Sequence, residues 1–357
     1  MLSRNSALAA AVALAMLSAS AQAIEIKLTG QMSRGIMFVD DGIGSDAFHV
    51  DNDNSSTRFR FTGTGQMSPG VTTGVVFEVE YQSAPSNLVD RTDRVTASPD
   101  IDERIMDAYF EGRYGRLTLG QGDGAANGGV EVDLSGTTIA HFSDVAPIGG
   151  GIEFRMPGGA LGPELGAVLG NQDFESRYDR VRYDTPTFSG FSLAVSSGVK
   201  NETVAPVSRD VWETALRYAG DFDAFGKLAG AVGMSQQDGH PGAVKDKTVG
   251  GSLSWLHGSG ANLTFGYTTR DRGARDSTFA YAKAGYKAGK HAVSLDYTVG
   301  KAQSAAGDEA SAIGMAYVFT PASWAELFAL AKRAQLNRPG VAFEDVTIFM
   351  LGTRLKF

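Results

Sequence analysis

The sequence predicts an all-β protein, a 16-stranded antiparallel β-barrel that crosses a membrane. Three observations carry this. The chain opens on an export leader. After it, polar and apolar side chains alternate with period two, which sends them to opposite faces of a sheet. The sixteen alternating segments are joined by short turns and long polar connectors in turn, the arrangement of an outer-membrane barrel with tight periplasmic turns and long external loops. Glycine points the same way: 45 of 357 residues is nearly double the usual ~7%, and an interior glycine costs a helix about 1 kcal/mol against alanine.

Residues 1–23 read as a signal peptide. Arg4 supplies the positive start, Ala7 to Leu17 the apolar stretch, and Ser18 to Ala23 the small residues of a cleavage site. The apolar stretch is about half of the ~20 residues that a spanning helix needs. Cleavage makes Ile24 the mature start and moves the net charge from the −8 of the full chain to −9. No later run holds 18 consecutive apolar residues, so the exported chain is either soluble or enters a membrane as strands.

The strands are expected at 25–38, 56–66, 71–82, 103–113, 115–121, 176–185, 190–199, 210–219, 226–236, 247–256, 261–270, 278–287, 291–302, 310–319, 323–333 and 344–357. Arg58-Phe59-Arg60-Phe61 shows the alternation most plainly, and Asn262 to Thr268 and Ser294 to Val299 repeat it. Short turns fall at Ser68 to Gly70, Tyr114-Gly115, Pro186 to Ser189, Asp221 to Phe225, His257 to Gly260, Ala288 to Lys290 and Thr320 to Ala322. Long connectors fall at 39–55, 83–102, 122–175, 200–209, 237–246, 271–277, 303–309 and 334–343. Phe38, Tyr81, Tyr114, Tyr218, Trp255, Tyr286, Phe319 and Phe357 lie near strand ends, where interfacial girdles form. Residues 24–357 form one domain without a linker, and sixteen strands enclose a lumen too wide for side chains to fill, so water enters.

Several function classes fall away. With 32 Lys and Arg against 40 Asp and Glu, no basic surplus exists to displace counterions from nucleic acid. The absence of cysteine removes disulfide frameworks, thiolate metal sites and cysteine nucleophiles. His49, His141, His240, His257 and His291 lie in or beside connectors, without a Gly-x-Ser-x-Gly elbow or a His-Glu-x-x-His motif. They read as surface-loop histidines, not as parts of an outer-membrane enzyme. Asp51-Asn52-Asp53-Asn54 lacks the sixth-position Gly and twelfth-position Glu of a calcium loop and reads as an Asx-rich turn. Gly149 to Gly151 and Pro157 to Gly159 lack the strand–helix frame of a phosphate cradle. No cofactor or metal is called for.

The chain resembles the Gram-negative trimeric porins of the general-diffusion type. The resemblance rests on Asp51 to Phe61, Asp107-Ala108-Tyr109-Phe110, Gly115 to Gln121, Arg182 to Phe191 and the closing Leu355-Lys356-Phe357. It implies an outer-membrane homotrimer that carries small hydrophilic solutes and ions, sits against outer-membrane lipid and presents Phe357 to the barrel-assembly machinery. It also implies that the third loop, 122–175, folds inward to narrow the channel; Gly151 to Arg155 or Glu164 to Leu169 are candidates for extra strand within it.

A sieve needs a transverse field, set by charged side chains around the constriction. Strand parity offers a basic wall of Lys27, Arg58, Arg60, Arg104, Arg116, Arg180 and Arg182, and the inserted loop offers Asp123, Glu131 and Asp133, with Asp144 a weaker candidate. Parity sends Arg34 toward lipid, at ~2–4 kcal/mol if it sits at the midplane, unless a bulge at Gly30 or Gly35 turns it inward or it lies at the rim or a subunit interface; Asp107 poses the same problem. The negative net charge favours cations. A substrate-specific channel and a secreted β-sandwich binding module are the remaining alternatives.

Overall fold

The computed structural model describes residues 24–94, 101–202, 207–238, 245–273 and 275–357; the leader expected at 1–23 and His240 lie outside them. The strands are β1 Glu25–Asp40, β2 Ser45–Asp51, β3 Arg58–Ser68, β4 Val71–Tyr81, β5 Ile101–Gly112, β6 Gly115–Asp123, β7 Glu153–Arg155, β8 Leu161–Glu164, β9 Arg177–Asp184 and β10 Phe191–Glu202. They continue with β11 Val207–Asp221, β12 Lys227–Asp238, β13 Asp246–Leu256, β14 Ala261–Asp271, β15 Asp276–Ala288, β16 His291–Lys301, β17 Glu309–Ala322, β18 Ala325–Asn337 and β19 Val346–Lys356. One short helix, α1, covers Leu165–Leu169. Among the described residues no helix is long and apolar enough to cross a membrane.

All wall pairings are antiparallel between chain neighbours, and β1 pairs with β19 to close the ring. β1 pairs with β3 over Glu25–Gln31 and with β2 over Arg34–Asp40. β2 and β3 therefore occupy one position, interrupted by a 3-10 turn at Asp53–Ser55, and the barrel has sixteen staves. Closure leaves no unpaired edge, the condition for a sheet in lipid.

The faces are inverted relative to a soluble sheet. On β14, Leu263, Phe265 and Tyr267 point outward and are exposed, while Asn262, Thr264 and Thr268 point inward and are buried. The same outward apolar set recurs on β16 (Val293, Leu295, Tyr297) and β17 (Ile313, Met315, Tyr317).

The connector expected over 39–55 contains β2. Its apolar residues Phe48 and Val50 face the interior, the reverse of the lipid-facing pattern, which is why the segment does not read as a wall strand. The connector expected over 271–277 shrinks to 272–275 because β14 and β15 run further.

The third loop, L3 (124–176), folds into the barrel. Of the two segments considered for extra strand, the first contains β7, which pairs with β8 as a hairpin. The second is α1 instead, preceded by Glu164, the last residue of β8.

L3 is seated on apolar packing. Ile139, Val145, Ile148, Ile152, Phe154, Leu165, Val168 and Leu169 join Met37, Val39, Phe48 and Val50 of β1 and β2 and Phe328, Leu330, Ile348 and Met350 of β18 and β19 in one buried cluster. A second cluster packs Ala126, Val130 and Phe174 of the loop on Ala215, Phe279 and Tyr281 of β11 and β15. L3 thus covers the inner wall from β11 round to β2 and leaves β3–β6 facing the open lumen.

Candidate functional site

The uncovered wall carries a guanidinium cluster. Arg58 and Arg60 alternate inward on β3, with Phe59 and Phe61 outward. Arg104 joins them through a bulge: opposite Glu78 and Val79 of β4, β5 presents Ile105 and Glu103 with Arg104 between them. The extra residue shifts parity along β5, so both Arg104 and Asp107 face inward, which removes the expected conflict at Asp107.

Glu78, whose side chain is only 3% exposed, is shared by the cluster: Arg60 Nε at 2.6 Å, Arg104 Nε at 2.8 Å and Arg58 Nε at 3.9 Å. Glu80 accepts from Arg104 at 2.5 Å and from Ser56 at 2.6 Å. From β19, Arg354 donates to Ser55 Oγ at 2.6 Å and to Glu326 at 2.5 Å. Charge-assisted contacts of this kind fix side chains in space.

Lys27 and Arg116 face the same side but stand nearer the short-turn rim. Lys27 is exposed close to the start of β1, opposite Thr62. Arg116 lies beside the Arg113-Tyr114 turn, 3.7 Å above the Tyr109 ring and 3.9 Å from Glu111.

Arg180 and Arg182 are placed differently from the exposed wall that parity suggested. The Arg180 side chain is 2% exposed, held by Asp107 at 2.5 Å, and donates to the carbonyls of Gly120 and Asp123. Arg182 is clamped by both oxygens of Asp184 and donates to the carbonyls of Asp123 and Gly124. Arg217 on β11 donates to the carbonyls of Ala125 and Asn127. These three arginines donate to carbonyls at the end of β6 and the start of L3, where the chain leaves the sheet.

The loop acids also divide. Asp133 is buried against Lys283 Nζ at 2.7 Å, and the same ammonium donates to Thr137 and the His141 carbonyl. It belongs to the underside of the loop, not its lumen side. Asp123 ends β6, 3.3 Å from Arg177. Glu131 accepts from Asn171 Nδ2 at 2.8 Å, and Asp173 accepts from the amides of Gly128 and Val130 at 2.5 and 2.8 Å. Among the described residues no cation lies within ion-pair distance of Glu131, Asp144 or Asp173. Burial, with the charges of Asp173 and Asp144 beside it, holds the Glu131 carboxyl well above the usual range; burial pushes Asp173 up to about 6.

Asp53, in the turn between β2 and β3, is pushed up to about 6 by burial and feels both Arg104 of the wall and Asp144 of the loop. The β3–β5 wall and L3 therefore come within electrostatic reach of one carboxylate. Around it, Asn52 accepts from the Asn54 amide and Asp51 from the Thr57 amide, the local bonds of an Asx-rich turn.

Two further expectations change. The register of β1 is unbroken against β3 from Glu25 to Gln31 and against β19 from Gln31 to Asp40, so neither Gly30 nor Gly35 makes a bulge. Arg34 keeps its outward parity and is satisfied by the Ser83 carbonyl at 2.7 Å and Asp51 at 3.7 Å. His141 is no surface-loop residue: it is buried beneath L3 with Nδ1 2.8 Å from Asp296 of β16. His49 lies on β2. Among the described residues no three His, Asp or Glu side chains are arranged to hold a metal ion.

Parity alone could have found Glu78 and Glu80, which face Arg60 and Arg58 across the β3–β4 hairpin. Nothing in the sequence marks Lys283 or Lys332 as lying under the loop.

Residues 7–330 match the family model described as Gram-negative porin. This chain belongs to the Gram-negative porin family. The porin is an outer-membrane channel for diffusion of small solutes, and L3 lies inside its barrel facing the β3–β5 wall. The barrel resembles the anion-selective porin from Comamonas acidovorans at 19% identity and a TM-score of 0.67, covering 94% of this chain and 100% of that one. It also resembles the trimer form of OmpT, an outer membrane protein of Vibrio cholerae, at 14% identity and a TM-score of 0.58, over 94% and 100% of the two chains. A mutant of the Rh. blastica porin aligns at 16% identity and a TM-score of 0.57, over 93% and 100%. No curated protein matches the sequence.

Proposed function

We propose that this porin is a general-diffusion channel with mild preference for cations, working without catalysis as a homotrimer of chains that lose residues 1–23 on export. One observation carries the reading. Charges of both signs flank the eyelet, while the L3 rings Phe154 and Phe174 and the wall rings Tyr178, Phe279 and Tyr281 are buried between loop and wall, leaving those rings unable to stack on a passing sugar. The cation preference rests on the imbalance of partners: Arg60 and Arg104 are capped by Glu78 and Glu80, whereas Glu131, Asp144 and Asp173 hold only hydrogen-bond donors. In this reading Arg58, Arg60 and Arg104 form the basic side, Glu131 the acidic side with Asp123 at its edge, and Lys27 and Arg116 the approach from the short-turn rim.

Anion preference is the second reading. Arg58 favours it, because among the described residues its one ionic contact, to Glu78, is 3.9 Å long, and so does the anion-selective neighbour. The trimer form among the structural neighbours supports the assembly, and the outward apolar belt supports contact with lipid. Phe357 suits recognition by the barrel-assembly machinery: it is exposed, packs on Phe59 with ring centroids 6.1 Å apart, and exchanges backbone bonds with Gly30.

Planar-bilayer recording under a salt gradient tests both. The reading expects ohmic current, three equal closing steps and a reversal potential of cation-selective sign; the opposite sign establishes the anion reading. Liposome swelling with sugars of rising size should fall smoothly with size, and a saturable preference for one sugar would replace general diffusion by a specific channel.

A further inference from the structure

Beneath the eyelet, on β11, sits a carboxylate that neither wall nor loop chemistry requires. Glu213 is 1% exposed and does not reach the lumen. Its two oxygens accept backbone amides from opposite ends of L3: Oε2 from Ala126 at 3.0 Å and Oε1 from Glu175 at 3.0 Å. The two donors are 49 positions apart in the chain and enclose nearly all of L3. Two residues inward from Glu175, Asp173 turns back to accept from Gly128 and Val130, so its position follows from where the outgoing and returning strands of the loop meet. Arg217, from the same face of β11, holds the carbonyls of Ala125 and Asn127. Gly124 completes the fit, since a Cβ there would lie 1.9 Å from Glu213 Oε2.

We propose that Glu213 is a positioning residue for ion selection: it clasps the two ends of L3 together and thereby sets where the acids Glu131 and Asp173 stand in the eyelet. A carboxylate suits the task because it accepts on both oxygens; an amide would turn a donor toward one of the two N–H groups. The proposal rests on the eyelet reading above and deepens it.

Three variants of the full-length trimer, recorded in planar bilayers, test it. Glu213→Gln weakens the clasp and removes a charge. Gly124→Ala drives the carboxylate out of its seat with every charge retained. Glu131→Gln probes the eyelet directly. The proposal expects Glu213→Gln and Gly124→Ala to shift reversal potential in the same direction and to add brief subconductance closures, with heat resistance of the trimer in detergent retained. A shift in Glu213→Gln alone would mean that the buried charge acts through its field and would overturn the clasp, as would wild-type recordings from both variants. No shift in Glu131→Gln at alkaline pH, where the raised wild-type carboxyl carries its charge, would instead sink the eyelet reading itself, whatever the other two show.

Discussion

The porin's interior carries two groups of inward cations that look alike in the chain and behave differently in the fold. On the open wall, Arg60 has a side chain 46% exposed, and it shares Glu78 with Arg104 and, at longer range, Arg58. On the covered wall, the Lys283 side chain is fully buried and bonded to Asp133, Thr137 and the His141 carbonyl, and Lys332 donates to the carbonyls of Val145 and Ile148. Apart from Arg104, which enters through its bulge, all follow the same alternation. What separates them is whether L3 lies on top. An ion pair open to water contributes little to stability but keeps its field in the channel; a buried one is costly to break and adds little to what a solute feels.

The contrast can be broken most easily at Lys283. Lys283→Met leaves Asp133 buried without its cation, which should cost about 3–5 kcal/mol and lower the thermal unfolding temperature of the detergent-solubilised protein; an unchanged temperature would mean that the covered wall is not structural. Arg60→Ala should cost less than about 1 kcal/mol. It should shift reversal potential further toward cations, by no more than about fivefold in permeability ratio given that a charge a few ångströms away in water is worth about 1 kcal/mol.

Acidification sharpens the same contrast from the loop side. Burial raises Asp173 to about 6, so its charge is present above that value and lost as pH falls through it, and cation preference should fade over that interval instead of near pH 4. The stability sign is opposite to that of a salt-bridged acid: a raised carboxyl favours the folded state at low pH and loses that contribution as pH climbs from about 4 to about 6. Reversal potentials measured from pH 7.5 to 4.5 give the midpoint. The smallest effect is expected from Lys27→Ala and Arg116→Ala, at the short-turn rim, where selectivity should match the unmodified channel within error in the same recordings.

The barrel was legible because lipid imposes period two on every stave, and Leu263, Phe265 and Tyr267 obey it without exception. β2 escaped because its apolar side faces the L3 core. The candidate site was legible only as far as parity reaches. Parity says which way a side chain points, and it places Arg60 and Lys283 alike; it does not say that a loop from elsewhere in the chain will cover one and leave the other wet. The bulge at Arg104 shows the second limit, since one extra residue flips the facing of Asp107 and no local composition signals it.

The apolar cluster under L3 bears on how the ring closes. Its members come from β1 and β2 at one end of the chain and from β17–β19 at the other, and those ends meet along a seam, Gln31 opposite Lys356, that joins residues more than 300 positions apart. Contacts that distant in sequence form slowly. A loop already carrying Phe154, Leu165 and Leu169 offers both margins one greasy former to wrap, so the same insertion that enters the barrel also gives the last and first staves a common place to arrive.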